Sequence, residues 1–199
     1  MPRRKHIAKI VIGGLLLPAP PVGHAQSAKM PTFSKSLAAQ CAPDLNEAAE
    51  RIFANPGGKT WNEYGTVKQV PALNGDSGEK MIAVKTSASG RHFVRFVEYG
   101  QDSAGYQADC YDPVGTLSVL RYQLRTAWGW GYEDVRTFDA RGKVLNRSTR
   151  FFNTRSNQEI ARPPQADDVS DYLKPKIYKK FTAIPIAGVL KQQAHATQK

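Results

Sequence analysis

Few residues in this sequence can do acid–base or nucleophilic chemistry. Beyond residue 25 the histidines are His92 and His195, and His195 stands near the end of the chain. A Ser-His-Asp triad would therefore have to use His92, but the sequence has no Gly-x-Ser-x-Gly turn to carry a serine nucleophile. Histidine and aspartate patterns typical of metal sites are also missing, as are glycine-rich loops that hold phosphates. We expect no cofactor, no metal and no histidine-based hydrolysis.

Carboxylate pairs are the next possible source of chemistry, because two acids together can hydrolyse a glycosidic bond. That reaction requires the two groups about 5–10 Å apart across a cleft. The pairs in this chain, Glu133-Asp134 and Asp167-Asp168, are sequence neighbours, and neighbours on a strand do not face one cleft. A solvated surface explains them better. A hydrolase whose carboxylates are brought together by the fold stays open as an alternative function.

One stretch has the composition of a ligand-binding surface. Residues 128–132 read Trp-Gly-Trp-Gly-Tyr, and aromatic side chains spaced by glycines can stack on sugars or bases. Arginines close by in the sequence could meet anionic groups. The candidate ligand-binding residues are Arg121, Arg125, Arg136, Trp128, Trp130 and Tyr132. A core role is the alternative for the three aromatics, and the flanking pattern favours it.

That pattern is an alternation of period two beginning at Leu120. Even positions from 120 to 132 are apolar or aromatic apart from one threonine, whereas odd positions are polar or small. Such alternation is typical of a strand with one face on a core. Trp128, Trp130 and Tyr132 share the side of Leu120, so the functional prediction moves to the arginine side of the same strands. We expect a turn or a bulge where the two glycines of residues 128–132 stand.

Turn signals divide most of the remaining chain into strands. The pattern Asp/Ser-x-x-Gly occurs at residues 87–90, 102–105, 112–115 and 139–142, and a further turn is expected at 153–157. Between these turns lie hydrophobic runs of strand length. The predicted strands cover residues 61–70, 81–86, 92–99, 106–111, 120–138 with its turn or bulge, 144–152 and 158–161.

Helical signals flank the predicted strands. Pro43 suits a first helical position, and the apolar residues from Leu45 to Phe53 fall on one stripe, which predicts a helix over 43–54. The Asn-Pro-Gly-Gly sequence that follows would end this helix. Residues 167–181 predict one or two short helical turns against the sheet. We expect a flexible tail over 186–199.

The first 25 residues predict a secretory signal peptide. A basic start precedes the apolar run from Ile10 to Leu17, prolines follow it, and Gly23 and Ala25 are the small residues of a cleavage site. The run is too short for a transmembrane helix. An uncleaved anchor or a basic tail is the alternative, and the export route is left open between the general and the twin-arginine pathways. Residues 26–40 predict a flexible lead-in, and 41–185 a single domain.

Export affects how the cysteines and the charge are interpreted. Cys41 and Cys110 are the two cysteines, and in an exported protein they predict one disulfide, with free thiols as the alternative. Removal of residues 1–25 takes away four positive charges and no negative ones, so the net charge falls from +11 to +7. The remaining excess is concentrated in residues 121–162, which hold nine Lys/Arg against four carboxylates.

Together these patterns predict an α+β protein. Its main part is a strongly curved antiparallel meander of about seven or eight strands, with one N-terminal helix and a short C-terminal helical segment. The predicted function is non-enzymatic binding in the periplasm or outside the cell, with an anionic envelope component or a partner protein as the ligand. Nucleic acid is not an expected partner, and no transmembrane segment is expected after signal cleavage. The alternatives are the hydrolase and a self-associating structural protein.

Overall fold

A computed structural model describes residues 41–46, 48–73 and 78–196 of the chain. The predicted signal peptide (1–25) and lead-in (26–40) lie outside these residues. The described chain folds into one antiparallel sheet of nine strands whose two end strands do not pair with each other. Among these residues, short 3-10 turns and the α-helix over 187–196 accompany the sheet. The antiparallel sheet with little helix is confirmed, and the strand number exceeds the seven or eight predicted.

The strands follow the chain in a meander. They are β1 (Glu50–Ala54), β2 (Asn62–Tyr64), β3 (Lys80–Thr86), β4 (His92–Tyr99), β5 (Ser103–Tyr111), β6 (Leu117–Thr126), β7 (Trp130–Phe138), β8 (Val144–Asn153) and β9 (Glu159–Ile160). Their order in the sheet is β2-β1-β3-β4-β5-β6-β7-β8-β9. From β3 to β9 each strand therefore pairs with the next strand in the sequence, whereas β1 lies between β2 and β3. At one end, β9 covers only Phe151 and Phe152 of β8.

Three of the four Asp/Ser-x-x-Gly turns form as predicted. The amides of Gly90, Gly115 and Gly142 donate to the carbonyl oxygens of the residues three positions earlier, at 2.9–3.0 Å. The predicted turn at 102–105 is wrong, because Gly105 lies inside β5 and pairs with Glu98 on one side and Leu124 on the other. The chain reverses slightly earlier, where the amide of Gly100 donates to the carbonyl of Ser103 at 2.7 Å.

The predicted N-terminal helix over 43–54 is wrong. Residues Pro43–Asn46 form one 3-10 turn, and the apolar part of the predicted stripe becomes β1. Ile52 and Phe53 are both buried although they point to opposite faces of the sheet, because each enters a separate core. A short apolar run with two buried faces is compatible with either a helix or a strand, and pairing with β3 decides for the strand.

The sheet has two faces, which we name by the part of the chain that covers each. Residues 163–190 pack on the C-terminal face, which carries Phe53, Val94, Asp109, Leu120 and Asp134. Residues 41–45, 48 and 67–73 cover part of the N-terminal face, which carries Ile52, Phe93, Cys110, Arg121 and Glu133. Apolar residues on both faces of β3 and β4 therefore have separate cores to enter.

The C-terminal segment crosses the sheet as 3-10 turns and one helix. The turns are Pro164–Ala166, Ser170–Leu173 and Phe181–Ala183, and the helix α1 is Ala187–Ala196. Helix α1 occupies residues for which the sequence analysis expected a flexible tail. Ile184 and Ile186 are fully enclosed in the core that includes Val94 and Leu120, so the segment is an integral part of the fold.

The predicted disulfide is present between Cys41 and Cys110. Their Cα atoms lie 5.6 Å apart, within the normal range for a disulfide. The bond connects the start of the described chain to β5, and Ala42, Leu45 and Phe93 pack around it. It fixes the N-terminal cover on its face of the sheet.

Candidate functional site

The structure brings together two of the three candidate arginines. Arg121 and Arg125 lie on β6 and point to the N-terminal face, whereas Arg136 on β7 pairs with Leu120 and points to the C-terminal face. The three arginines therefore do not form one surface. A third arginine on the N-terminal face, Arg150 of β8, was not predicted and lies across Glu133 from Gln123.

We call the resulting group on β6, β7 and β8 the arginine patch. Its members are Arg121, Gln123, Arg125, Glu133, Arg150 and Phe152. The Glu133 carboxylate is at the centre and is almost completely buried. It accepts hydrogen bonds from Arg121 Nε at 2.7 Å, Gln123 Nε2 at 2.8 Å and Arg150 Nε at 2.7 Å. Two guanidinium groups, those of Arg121 and Arg150, thus share one carboxylate. With Arg125 the patch carries three positive charges against one negative charge, a net charge of two.

Phe152 gives the patch an aromatic floor. The guanidinium carbon of Arg125 lies 5.5 Å from the centre of its ring, and that of Arg150 lies 5.1 Å away, both within cation–π range. The other side of the ring rests on Gly131 of β7, where a Cβ atom would come within 2.4 Å of Phe152 Cζ. Arg125 has an aromatic partner but no carboxylate partner among the described residues. It is the arginine of the patch with the most freedom to bind an anion.

Asp134 forms a second cluster on the opposite face. Its carboxylate is completely buried and accepts from Arg136 Nη2 at 2.6 Å and from Arg147 Nη2 at 2.9 Å. The two neighbouring acids of β7 therefore point to opposite faces, and each is held by two arginines. Arg136 was grouped with Arg121 and Arg125 because the three are close in the sequence. Strand alternation, however, places Arg136 on the same side as Leu120.

Both acids of β7 are held in the charged form. Burial opposes ionisation of Glu133, but hydrogen bonds from Arg150, Gln123 and Arg121 outweigh it and lower its pKa. For Asp134, burial is likewise outweighed by Arg136 and Arg147, and the pKa is lowered. Carboxylates fixed in this way are structural anchors for arginines, because a general acid requires a raised pKa.

The three candidate aromatics occupy two different environments. Trp130 and Tyr132 are buried on the C-terminal face among Leu124, Leu173 and Phe151. Trp128 lies in the turn between β6 and β7, is 50% exposed, and stacks on Trp130 with ring centres 6.3 Å apart. The turn at Gly129 is the one predicted, and it ends the alternation before Trp128. None of the three lies on the face that carries the arginine patch.

Sequence reasoning did not find a cleft on the C-terminal face. It has a volume of about 280 Å³ and lies between strands β3–β6 and residues 171–185. Phe96, Tyr122, Tyr172 and Tyr178 supply aromatic walls. Its polar lining consists of Lys80, Glu98, Gln107, Asp171, Lys174 and Lys176. Because strands and a distant segment build it together, no local sequence pattern indicates it.

A buried hydrogen-bond network lies beside the cleft, centred on Asp109 of β5. The side chain of Asp109 is completely buried, and burial raises its pKa to about 8 although hydrogen bonds from Gln107 and Tyr111 oppose the rise. Gln107 Nε2 also donates to the carbonyl of Lys176 at 2.9 Å, and the Tyr111 hydroxyl to that of Tyr178 at 3.0 Å. The network fastens the C-terminal segment to β5.

The hydrolase alternative required two buried carboxylates in one cleft. Asp109 is bound by an amide and a phenol, Asp134 by two arginines, and neither lines the cleft. Within the described ranges, no group of three or more His, Cys, Asp or Glu side chains is placed to hold a metal ion. The same ranges contain no helix with the length and apolar character needed to cross a bilayer.

Comparisons with protein families, with curated protein sequences and with solved structures find no match for this chain.

Proposed function

We propose that this protein is an exported binding protein without catalytic activity, whose ligand is an anionic component of the cell envelope. The ligand is held by the arginine patch on the N-terminal face of β6–β8. The observation that carries the proposal is the charge of the patch, where Arg121 and Arg150 share the single carboxylate of Glu133 and Arg125 adds a further positive charge. The Cys41–Cys110 disulfide and the basic, apolar start of the chain support export.

The chemistry of the patch fits carboxylate or phosphate groups. Arg121 and Arg150 are oriented by Glu133, and their side chains remain 32% and 26% exposed. A guanidinium held in place loses little further freedom when it binds an anion through its remaining N–H groups. Acidic polysaccharides and phosphorylated lipids both present such groups at an envelope.

Binding can be measured with two probes, polygalacturonate and vesicles of phosphatidylglycerol, with phosphatidylcholine vesicles as the neutral reference. We expect binding to at least one anionic probe, and a lower affinity at high salt because exposed charges are screened. Arg125→Gln should lower the affinity about fivefold, because an ion pair with a partly exposed charge contributes roughly 1 kcal/mol to binding. Arg125 is the position to change, because Arg121 and Arg150 also hold Glu133.

Arg141→Gln is the matched control, since it removes the same charge from the exposed turn between β7 and β8. The affinity of this variant for the anionic probe should stay within a factor of two of that of the unchanged protein. Equal losses in the two variants would mean that the ligand responds to net charge alone, and would reject the patch as a site. The choice between the two probes identifies the class of envelope component.

The self-associating structural protein stays an alternative prediction. The outer edge of β8 before Phe151 has no strand beside it among the described residues. Light scattering after size exclusion at several concentrations would detect such association.

A further inference from the structure

We infer that the cleft on the C-terminal face is a second binding site, which takes a single acidic sugar of monosaccharide size. The arginine patch lies on the opposite face of the sheet, so this site does not depend on the proposed function. The inference rests on the size of the cleft, its aromatic walls, the one free acceptor at its base and the one lysine without a carboxylate partner.

The size of the cleft selects a small ligand. Its volume of about 280 Å³ is at the lower end of the range for small-molecule sites. Phe96 and Tyr178 form a stacked pair with ring centres 5.4 Å apart, and Tyr122 and Tyr172 contribute to the same lining. Aromatic walls of this kind suit the C–H face of a pyranose ring. The charged groups in the lining make the cleft unsuitable for a lipid chain, which requires an apolar cavity.

The roof of the cleft is fixed by hydrogen bonds from the sheet. Gln107, Tyr111 and Tyr122 donate to the backbone carbonyls of Lys176, Tyr178 and Tyr172, respectively, at 2.6–3.0 Å. The absence of a side chain at Gly105 allows this arrangement, because a Cβ there would lie 3.2 Å from the Tyr122 hydroxyl oxygen. The cleft is thus largely pre-formed, which reduces the cost of ordering groups on binding.

Gln107 presents a hydrogen-bond acceptor to the cleft. Its Nε2 group donates to the Asp109 carboxyl at 3.0 Å and to the Lys176 carbonyl at 2.9 Å. A backbone carbonyl can only accept, so the amide orientation is determined and Oε1 takes the other direction. Among the described residues nothing donates to Oε1, which is not a fully buried atom. A ligand hydroxyl can satisfy it.

The lysines of the cleft favour an acid. Lys80 pairs with Glu98 at 2.8 Å, and Lys174 pairs with Asp171 at 3.0 Å. Lys176 lies 5.5 Å from the centre of the Tyr178 ring and has no carboxylate partner among the residues described. Three ammonium groups against two carboxylates leave one positive charge for a ligand carboxylate. A hydroxylated ring that carries one carboxylate satisfies all these groups, and a hexuronic acid is the simplest example.

Calorimetric titration of the full mature chain with D-galacturonate, D-galactose and benzoate tests this assignment. We expect galacturonate to bind with a dissociation constant of about 1 mM, as is reasonable for a ligand of this size. Galactose, which lacks the carboxylate, should bind at least fivefold more weakly. Benzoate has the carboxylate but no hydroxyl for Gln107, and should also bind at least fivefold more weakly.

Lys176→Gln and Lys179→Gln form a matched pair of variants. Lys179 belongs to the same segment, but its side chain lies against the Gly142 turn, outside the cleft. Lys176→Gln should lower galacturonate affinity at least fivefold and leave galactose affinity unchanged, whereas Lys179→Gln should affect neither. If Lys176→Gln does not fold, the comparison of the three ligands on the unchanged protein still decides.

Three results would overturn the assignment. The first is the absence of a heat of binding at a galacturonate concentration 10 times the expected dissociation constant. The others are equal affinity for galacturonate and either reference ligand, and equal effects of the two lysine variants on galacturonate affinity. Arg125→Gln should leave galacturonate binding to the cleft intact. Failure of the cleft and failure of the arginine patch are therefore separate outcomes.

Discussion

The Asp109 side chain is best understood as a neutral carboxyl group within a hydrogen-bond chain. The Tyr111 hydroxyl has one hydrogen but two acceptors in reach, Asp109 Oδ2 at 3.2 Å and the Tyr178 carbonyl at 3.0 Å. When Asp109 holds a proton, it donates to Tyr111, and Tyr111 donates to Tyr178. Its other oxygen then accepts from Gln107. Every group in this buried chain is satisfied, as buried polar groups require.

Asp109→Asn should remove a pH dependence of stability. The folded-state pKa of Asp109, about 8, is above the usual 3.8, so between about pH 4 and 8 the folded protein holds a proton that the unfolded chain has released. Its contribution to the free energy of unfolding is complete below about pH 4 and decreases as the pH rises to 8. Asparagine reproduces the neutral carboxyl and does not ionise. The free energy of unfolding of the variant, minus that of the unchanged protein, should therefore increase by at least about 1.4 kcal/mol as the pH is raised from 5 to 8.

Urea unfolding at pH 5, 6, 7 and 8 measures this difference. Glu133 and Asp134 do not interfere, because their pKa values are lowered and their contribution is lost only at more acidic pH. Parallel stability curves for the two proteins would show that Asp109 is charged in the folded state across the whole range.

At the scale of strands, Gly131 determines how closely β7 and β8 pack. A Cβ at this position would lie 2.4 Å from Phe152 Cζ and 2.8 Å from the backbone oxygen of Leu124, and the latter cannot move without breaking the sheet. Gly131→Ala should therefore lower the free energy of unfolding by about 1–3 kcal/mol, the usual cost of overpacking.

Gly188→Ala provides the control for that substitution. Gly188 lies in α1, has nothing within 4 Å of an added Cβ, and does not have a positive φ. Alanine in a helix is favoured over glycine, so this variant should be unchanged or more stable by up to about 1 kcal/mol. Denaturant unfolding compares the two variants directly. Equal effects would show that Phe152 does not rest on Gly131 in solution.

Strand positions were predictable where local signals determine them. The turns at Asp112 and Asp139 use a carboxylate that accepts two backbone amides, and their glycines have φ of 75°. The faces of Arg121 and Arg125 follow from alternation along β6. The position of Arg150 could not be predicted, because the pairing of β7 with β8 shifts its register near Phe138. The arginine patch was therefore only half visible in the sequence.

At the scale of the whole molecule, the cleft was not predictable. It requires Tyr122 of β6 to meet Tyr172, 50 positions later, and Gln107 of β5 to meet Lys176, 69 positions later, and no periodicity in the sequence indicates these contacts. The disulfide was predictable because only two cysteines are present, so the prediction of export left one possible pairing.

The disulfide and the predicted signal peptide give one further prediction. Mass spectrometry of the protein from a periplasmic fraction should find a chain that begins at Gln26 and resists alkylation unless it is first reduced. The Cys41→Ala/Cys110→Ala variant should lose about 4 kcal/mol of unfolding free energy, as expected for a closed loop of roughly 70 residues. Alkylation of both cysteines without reduction would refute the bond, and an intact residue 1 would refute cleavage.

The late position of the C-terminal segment has a consequence for folding kinetics. From β3 onward the strands pair with sequence neighbours, so most of the sheet can form from contacts of low sequence separation. The hydrogen bonds of Gln107 and Tyr111 to the segment, by contrast, span 69 and 67 residues. Until residues 163–190 are present, Val94 and Leu120 have no cover. We therefore expect the chain to reach its native state only after this segment has packed on the sheet.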